Sequence, residues 1–241
     1  MLDIVVPVYN EEDNIKTLLD QITSEVKSDK RVFVVYDFDE DTTLPVLRKI
    51  KNDYSFEIVM EKNHYGKGVL NALKSGLEAS TANVVLVTMA DLSDSLDIVD
   101  RMKEMMNNGA DVVCASRYMR GGQQIGGPFL KRLFSRIAGV TLHYLIRIPT
   151  HDISNNFRMY SRNVIESFTI ESTGGFELAM ELTIKAYVHG MTITETPSKW
   201  YDRVAGQSNF KMWKWLPKYL HWYFYGIMKI WFGYRRREII K

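Results

Sequence analysis

Acidic and amide side chains follow three of the predicted strands, at the point where each strand ends. They occupy positions 10–11, 37–41 and 91–94. Since the carboxyl ends of parallel strands meet at one edge of a sheet, where α/β folds bind ligands, these side chains should lie close together. Carboxylates gathered in this way repel one another unless a divalent cation or the donor groups of a ligand lie between them. The pattern predicts a ligand site at this edge, although ordinary turn chemistry accounts equally well for any single acid.

The elements that must position these residues alternate between short β-branched runs and segments with helical spacing. Such alternation is typical of βαβ units on a mostly parallel sheet, so the predicted fold class is α/β. We predict strands at 2–8, 31–36, 56–60, 84–88, 111–115, 157–160 and 192–197. We predict helices at 15–26, 42–50, 69–79, 97–106, 129–146, 177–189 and 213–234. Glycines at 121–127 divide the main domain, 1–210, into halves 1–115 and 116–210.

Composition limits the class of protein. The chain has 241 residues, of which 46 % are hydrophobic and 25 % charged, which is typical of a globular protein and excludes a low-complexity chain. The single cysteine, Cys114, allows no internal disulfide and favours a reducing compartment. The first residues lack the features of a signal peptide, and no apolar run reaches the roughly 18 residues of a spanning helix. We therefore expect a cytoplasmic protein.

The end of the chain differs from the rest in charge and aromatic content. Residues 199–241 contain ten Lys or Arg and two acidic residues, whereas the net charge of the whole chain is +2. Ten of the 22 residues from Trp213 to Tyr234 are aromatic. Because this combination is typical of amphipathic helices at membrane surfaces, we interpret 211–241 as a membrane-associating segment. A dimer interface or packing against the core is the alternative, and no base-reading module indicates a nucleic acid partner.

Several other patterns receive structural interpretations. Gly66-Lys67-Gly68 departs from the dinucleotide fingerprint and follows the third strand, which argues against a Rossmann dehydrogenase. The five histidines lack metal-ligand spacing, although His64 could approach a nucleotide. Glu177 and Glu181 are one helical turn apart, and we expect both on a solvated helix surface.

Two ordered sets of motifs run through the chain. The first consists of Val6-Pro7-Val8-Tyr9-Asn10-Glu11-Glu12, Asp37, Asp41-Thr42, Gly66-Lys67-Gly68 with Gly76, and Ala90-Asp91-Leu92-Ser93. The second consists of Ser116-Arg117-Tyr118, Gly121-Gly122, Pro128, Arg132, Ser135-Arg136, 152–160 and 202–208. The first set resembles the GT-A fold inverting glycosyltransferases of family 2, and the second is similar to their dolichol-phosphate mannose synthase branch. The resemblance covers about residues 2–210.

This resemblance implies a GT-A, Rossmann-like sheet flanked by helices, with a nucleotide-binding half at 1–115, an acceptor half at 116–210 and a C-terminal amphipathic helix at the membrane surface. It implies transfer of a hexose from a GDP- or UDP-sugar to a polyprenyl or dolichyl phosphate, on the cytoplasmic face of the membrane. The sugar, the choice of GDP or UDP, the lipid length and a homo-oligomeric state are left open. The alternatives are a family 2 enzyme with a saccharide or another acceptor, and a nucleotide-binding pseudoenzyme.

The resemblance also implies roles for individual residues. The nucleotide site would be formed by Pro7, Tyr9, Glu11, Val35, Asp37, Ala90, Asp91, Arg117 and Arg203. Arg117 and Arg203 would hold donor or acceptor phosphates, and Arg132 is a further candidate for the acceptor phosphate. Asp91 and Ser93 would bind Mg²⁺ or Mn²⁺. The predicted catalytic residues are Asp91, Arg117, Arg132 and Arg203.

The chain departs from the family pattern at the metal motif, where Asp-x-Asp is replaced by Met89-Ala90-Asp91. A thioether is a poor ligand for a hard cation, so we expect weakened metal binding, with Asp94 in a position to compensate. Tyr36 replaces the first of two aspartates expected after the second strand. Asn209 stands where a lysine is expected, with Lys211 nearby.

Overall fold

A seven-stranded sheet forms the centre of the protein. The computed structural model describes residues 1–202 and 212–233. Its strands are β1 (Leu2–Pro7), β2 (Lys30–Tyr36), β3 (Glu57–Lys62), β4 (Val84–Val87), β5 (Val112–Ser116), β6 (Gln123–Ile125), β7 (Arg158–Ser161), β8 (Ile193–Pro197) and β9 (Lys199–Tyr201). The order across the main sheet is β3-β2-β1-β4-β7-β5-β8, and β7 runs antiparallel to both of its neighbours. Strands β6 and β9 form a separate parallel pair. The predicted mostly parallel α/β fold is confirmed.

Helices cover both faces of this sheet. They are α1 (Ile15–Glu25), α2 (Thr43–Ile50), α3 (Val69–Ala79), α4 (Val99–Asn107), α5 (Phe129–Ile146), α6 (Arg162–Ser167), α7 (Leu178–Val188) and α8 (Met212–Phe232), with short 3₁₀ turns at Lys51–Asp53 and Leu96–Ile98. Alternate residues of a strand point to opposite faces, so Val5 of β1 joins one core cluster and Ile4 the other. A sheet buried on both faces explains why its strands read as continuous apolar runs.

Helix α8 belongs partly to the core. Trp222, Tyr225 and Ile227 on one side of it are at most 9 % exposed and pack in the same cluster as residues of α5 and α7. The other side carries Phe224, which is 56 % exposed. The segment interpreted as membrane-associating therefore also packs against the core. Among the described residues, no helix is long and apolar enough to span a bilayer.

The expectation of solvated surface for Glu177 and Glu181 is wrong, because both are completely buried. The Glu177 carboxylate accepts hydrogen bonds from the backbone amides of Gly174 and Gly175, at 2.6 and 2.8 Å. The Glu181 carboxylate accepts from two backbone amides of the same loop and pairs with Lys185 at 2.7 Å. Buried carboxylates are tolerated when donors surround them in this way, and here they hold the loop before α7 in place.

Candidate active site

The predicted site residues lie along one edge of the sheet. Asp37 follows β2 and Asp91 follows β4, and only β1 lies between these two strands. Two steps between neighbouring strands amount to about 10 Å, so the two strand ends border the same crevice. Arg117 follows β5, which β7 separates from β4. The polar strand ends therefore share one edge, as the sequence predicts.

A buried carboxylate shapes the loop after β1. Both oxygens of Asp41 accept hydrogen bonds from the backbone N–H of Asn10, each at 3.2 Å, and one also accepts from the Thr43 amide at 2.9 Å. Asn10 adopts a left-handed conformation with φ 55°, which turns the chain at this point. Tyr9 is left 55 % exposed, edge-on to Phe38 with the ring centroids 5.5 Å apart. The loop thus presents an exposed aromatic ring at the end of the sheet.

The loop after β2 is tied to the loop before α3. One oxygen of Asp37 accepts from the Asn63 side-chain amide at 2.6 Å, and the other accepts from the Gly68 backbone amide at 2.8 Å. Each carboxylate oxygen can accept a second hydrogen bond, so these contacts leave capacity for a ligand. Base reading by Asp37 stays a prediction. The Glu11 carboxylate accepts a hydrogen bond from the Asn14 side-chain amide at 2.7 Å.

Three predicted nucleotide-site residues support the edge from beneath. Val35 is completely buried, Ala90 is 2 % exposed and Pro7 is buried at the end of β1. The Val35 carbonyl accepts a hydrogen bond from the Val8 amide at 2.9 Å. Because their side chains are buried, these three residues offer little side-chain surface to a ligand.

The loop after β4 brings two carboxylates together. Asp91 accepts hydrogen bonds from the backbone amide and the hydroxyl of Ser93, at 3.2 and 2.6 Å. Asp94 is only 8 % exposed, and its Oδ2 accepts from the Thr88 hydroxyl at 3.1 Å. Burial, followed by the neighbouring charge of Asp91, raises the pKa of Asp94 to about 7. The two acids therefore repel each other in a poorly solvated place.

This donor set fits a divalent cation that takes other ligands from a bound nucleotide. Within 1–202 and 212–233, no group of three or more His, Cys, Asp or Glu side chains could hold a metal ion. Mg²⁺ is usually bound through one or two carboxylates together with substrate phosphates, so a complete protein cage is not required. Asp91 would supply one such carboxylate, and its metal role stays a prediction. Ser93, predicted as a ligand, donates its hydroxyl proton to Asp91 and thereby orients it.

Arg117 is held rigidly by Asp152. Its Nε and Nη2 donate to the two carboxylate oxygens at 2.6 and 2.9 Å, and Nη2 also contacts the hydroxyls of Ser135 and Ser154 at 3.0 and 3.2 Å. Burial alone would raise the pKa of Asp152, but the charge and hydrogen bonds of Arg117 bring it below its usual range. Arg117 stays protonated for the same reason. The result is a fixed cation beside two hydroxyl groups.

A cavity of about 340 Å³ joins this cation to the acidic loop. Its polar lining includes Asp91, Asp94, Arg117, Ser135 and Ser154. Its apolar lining includes Phe134, Ile137, Ala138, Leu216 and Leu220, which belong to α5 and α8. The cavity therefore combines charged and apolar walls.

The predicted phosphate contacts of two arginines stay predictions. Arg132 is not among the residues that line the cavity, although its neighbour Lys131 is. The Arg132 guanidinium lies 5.8 Å from the centroid of the Phe129 ring. Arg203 lies outside the described residues, so its predicted contact with phosphate stays a prediction.

Sequence reasoning assigned no role to several residues that build the site. Asp152 and Ser154 belong to the motif at 152–160, and Asp41 belongs to the first set of motifs, so the resemblance marked them without giving a function. No spacing pattern links Asp152 to Arg117, because 35 positions separate them. Tyr219 lines the cavity from α8, a helix to which the sequence assigned no role in the site.

The family follows from comparison with known sequences. A sequence model of the family described as glycosyl transferase family 2 matches residues 3–169. The chain belongs to glycosyltransferase family 2. The matched range contains the predicted site residues other than Arg203. The family resemblance seen in the sequence is thereby confirmed.

Relatives of this family 2 glycosyltransferase include a dolichol-phosphate mannosyltransferase of Pyrococcus furiosus. The two are 27 % identical over 215 residues, which cover 87 % of this chain and 59 % of the relative. An uncharacterised glycosyltransferase of Synechocystis is 29 % identical over 170 residues, covering 69 % of this chain and 52 % of the relative. The chain thus spans between half and three fifths of the length of these relatives.

The fold is similar to that of glucosyl-3-phosphoglycerate synthase from Mycobacterium tuberculosis, in a complex with Mn²⁺, UDP and glucosyl-3-phosphoglycerate. The TM-score is 0.67 and the identity 15 %, and the match covers 98 % of this chain and 81 % of the other. At this identity the similarity concerns the fold alone. It confirms the predicted GT-A fold.

Proposed function

We propose that this glycosyltransferase moves a hexose from a nucleotide sugar to a polyprenyl or dolichyl phosphate at the cytoplasmic surface of a membrane. The observation that carries the proposal is the mixed lining of the cavity beside Asp91, where Arg117 and two serine hydroxyls occur together with apolar side chains of α5 and α8. A lipid phosphate has parts that suit both kinds of wall, an anionic head and a hydrocarbon tail. The name of the Pyrococcus relative supports this acceptor class.

The head of such an acceptor suits the polar residues of the cavity lining. Arg117 and the hydroxyls of Ser135 and Ser154 offer charge-assisted hydrogen bonds to phosphate oxygens. A phosphate monoester has a second pKa of about 6, so near neutral pH it is mostly a dianion and already nucleophilic. A general base is therefore not required. A sugar hydroxyl, in contrast, would need one for efficient attack.

The reaction is a single displacement at the anomeric carbon. A phosphate oxygen of the acceptor forms a bond to this carbon while the bond to the diphosphate breaks, and the nucleoside diphosphate leaves with the electron pair. Attack from the opposite face inverts the anomeric configuration. A divalent cation held by Asp91 would neutralise charge on the departing diphosphate. Arg117 and the loop after β4 bring the two anionic reactants together.

The donor would lie along the strand ends. Tyr9 is exposed and suited to contact a base or ribose, and Asp37 could accept hydrogen bonds from the N–H groups of guanine or uracil. The carboxylate therefore serves either base, and the donor has to be identified by experiment. Arg203 completes the predicted set as a phosphate contact.

Some apolar residues of the cavity lining on α5 and α8 are also exposed on the surface. Phe134, Ile137 and Leu220 line the cavity, and these residues are also 38 %, 48 % and 41 % exposed, respectively. The same two helices expose further apolar side chains, among them Phe129, Tyr144, Phe224 and Phe232. Large exposed apolar surfaces mark interaction sites. We name these seven residues the apolar face and propose that it lies on the bilayer, so that a lipid tail passes from membrane to cavity without crossing water.

Lysines and arginines next to this face suit an anionic membrane. Arg136 is exposed on α5 and Lys218 is half-buried on α8. Each basic side chain near an anionic surface contributes about 1 kcal/mol of binding free energy. Peripheral attachment of this kind requires no spanning helix.

The proposal is tested by incubating the protein with GDP- and UDP-hexoses, Mg²⁺ or Mn²⁺, and either polyprenyl phosphate or the water-soluble 3-phosphoglycerate. We expect a lipid-linked hexose, detected by solvent extraction and mass spectrometry. Arg117→Ala should abolish it, whereas Arg120→Ala, an exposed arginine three residues further along the chain, should not. Transfer to 3-phosphoglycerate alone would refute the lipid acceptor. Nucleotide binding without transfer to any acceptor would support a pseudoenzyme.

A further inference from the structure

A short segment that contains β9 connects the two charged parts of the site. At its start, the Ser198 backbone amide donates a hydrogen bond to the Ser116 carbonyl at 3.0 Å, next to Arg117. At its end, the Tyr201 amide donates to the Ser93 carbonyl at 2.9 Å, in the loop after β4. Three residues of extended chain cover about 10 Å. The segment therefore runs from the loop of Arg117 to the acidic loop after β4.

Trp200 is the residue that this segment contributes to the cavity. Within the described segment 198–201, Trp200 alone lines the cavity. Its backbone forms a bridge with Asp94 and pairs in register with Gln124 of β6. Neighbouring side chains of a strand point to opposite faces, and the preceding Lys199 is exposed. The indole therefore enters the cavity between the two charged parts of the site.

The edge of the indole packs against Gly127 and lies beside the amide of Gln124. A Cβ atom at Gly127 would lie 3.2 Å from Cζ3 of the Trp200 ring and 3.4 Å from Nε2 of Gln124, so the ring and this amide are neighbours. Oε1 of Gln124 accepts a hydrogen bond from the Tyr118 hydroxyl at 2.9 Å, which orients the amide. Gln124 also lines the cavity. Its Nε2 therefore offers N–H donors beside the ring.

An aromatic ring next to hydrogen-bond donors suits a sugar. The C–H groups on one face of a hexose pack against an apolar aromatic surface, while its hydroxyls require polar partners. The position of the ring agrees with this chemistry. In the proposed displacement, the hexose lies between the diphosphate at Asp91 and the acceptor phosphate at Arg117. Trp200 belongs to the segment that connects the loops of these two residues.

We propose that Trp200 is the surface on which the transferred hexose stacks, beside the N–H donors of Gln124. The inference rests on the proposed function, because it takes the nucleotide sugar and the acceptor phosphate to lie at the two ends of the segment. The free nucleoside diphosphate carries no hexose, so Trp200 contributes to binding of the nucleotide sugar and not to binding of the diphosphate. The difference between these two affinities therefore reports on Trp200.

The test measures both affinities of the full chain by calorimetry with Mn²⁺, comparing GDP-mannose with GDP and UDP-glucose with UDP. We expect Trp200→Ala to weaken binding of the nucleotide sugar about fivefold, the scale of one aromatic contact, and to leave binding of the diphosphate unchanged. Trp200→Phe keeps an aromatic ring and should retain most of the affinity. Trp231→Ala is the matched control, because Trp231 is 53 % exposed on α8 and lies outside the described cavity lining.

Two results would overturn the inference. Equal loss of affinity for the nucleotide sugar and the diphosphate would show that the ring only supports the shape of the site. Unchanged affinity for both would show that the hexose does not contact the ring. Either result leaves the proposed function intact if the unaltered protein still forms a lipid-linked hexose. If the unaltered protein binds no nucleotide sugar, the proposed function fails and this inference fails with it.

Folding of the variants is checked by thermal unfolding. If Trp200→Ala does not fold, Trp200→Leu takes its place, because leucine keeps apolar volume at this position but has no ring face. Selective weakening of nucleotide sugar binding is again expected. Unchanged affinity of Trp200→Leu for the nucleotide sugar would then overturn the inference.

Discussion

Both carboxylate oxygens of Asp152 accept hydrogen bonds from the Arg117 guanidinium, at 2.6 and 2.9 Å. The same carboxylate also accepts a hydrogen bond from the backbone N–H of Arg117, at 3.0 Å. The backbone hydrogen bond fixes the position of the Arg117 main chain, and the side-chain hydrogen bonds fix the orientation of its guanidinium. Arg117 is therefore oriented toward the cavity before any substrate arrives. Such preorganisation lowers the cost of binding an anion.

Replacing Asp152 should damage both stability and acceptor binding. Breaking a buried ion pair by removing one partner costs about 3–5 kcal/mol, because the remaining charge is left uncompensated. We expect Asp152→Asn to lower the free energy of unfolding by this amount in urea titrations and to raise the KM for the lipid phosphate. Asp3→Asn is the control: Asp3 pairs in the same two-pronged way with Arg31, at the start of β1 and far from the cavity. It should lower stability without changing the KM, and an equal rise in KM for both variants would contradict the argument.

The Asp3 pair also predicts how stability depends on pH. Burial alone would raise the pKa of Asp3, but hydrogen bonds from Arg31 and from the amides of Ala82 and Thr81 lower it below its usual range. A carboxyl whose pKa is lower in the folded state stabilises the protein above its unfolded pKa of about 3.9, and this contribution is lost as the pH falls further. Urea unfolding at pH 3 to 7 should show a steeper acid loss of stability in the unaltered protein than in Asp3→Asn. Identical slopes would refute this assignment.

The apolar face can be tested without disturbing the core. Phe224 is 56 % exposed and Phe232 69 %, so replacing both with Gln should leave the melting temperature nearly unchanged. We expect the double variant to float with anionic liposomes much less than the unaltered protein does. Neutral liposomes provide the comparison, since the basic residues beside the face act only on anionic lipid. Undiminished flotation of the double variant would count against a membrane role for this face.

Gly139 allows α5 to lie against the loop that carries Asp152. A Cβ atom at this position would come within 2.1 Å of the His151 carbonyl oxygen, which belongs to the backbone and cannot rotate away. We expect Gly139→Ala to destabilise the protein by at least about 1–3 kcal/mol, as overpacking does in cores. Gly226→Ala is the comparison: its Cβ would meet an Ile184 methyl group at 3.1 Å, which can shift, and alanine favours the helix. Thermal unfolding should separate the two, and equal melting temperatures would contradict this account.

The order of helices and strands could be predicted from the sequence because each carries a strong periodic signal. The spacing predicts helices at 69–79 and 129–146, and α3 and α5 have these bounds. Strands β6 and β9 could not be predicted, since each has three residues and pairs with a partner far along the chain. The antiparallel direction of β7 likewise has no local signal.

The candidate site was partly predictable for the same reason. Asp37, Asp91 and Arg117 stand immediately after apolar runs, and parallel strands bring such positions to one edge. Val35 lies before the end of its strand, where side chains point alternately toward the two covered faces of the sheet. Its side chain is therefore buried and does not reach the edge where the site lies. The burial of Glu177 and Glu181 could not be predicted, because the backbone amides that donate hydrogen bonds to their carboxylates belong to a loop without any periodic pattern.

Helix α8 limits what deletion of the C-terminal part of the chain can teach. Trp222, Tyr225 and Ile227 fill the core from this helix, while Leu216 and Tyr219 close one side of the cavity. A protein shortened before residue 212 would expose apolar core residues to solvent and lose one wall of the cavity at the same time. Failure of this shortened protein to bind lipid or to transfer a sugar would then have two causes. Replacement of exposed side chains alone, as in the Phe224 and Phe232 double variant, is needed to separate membrane attachment from catalysis.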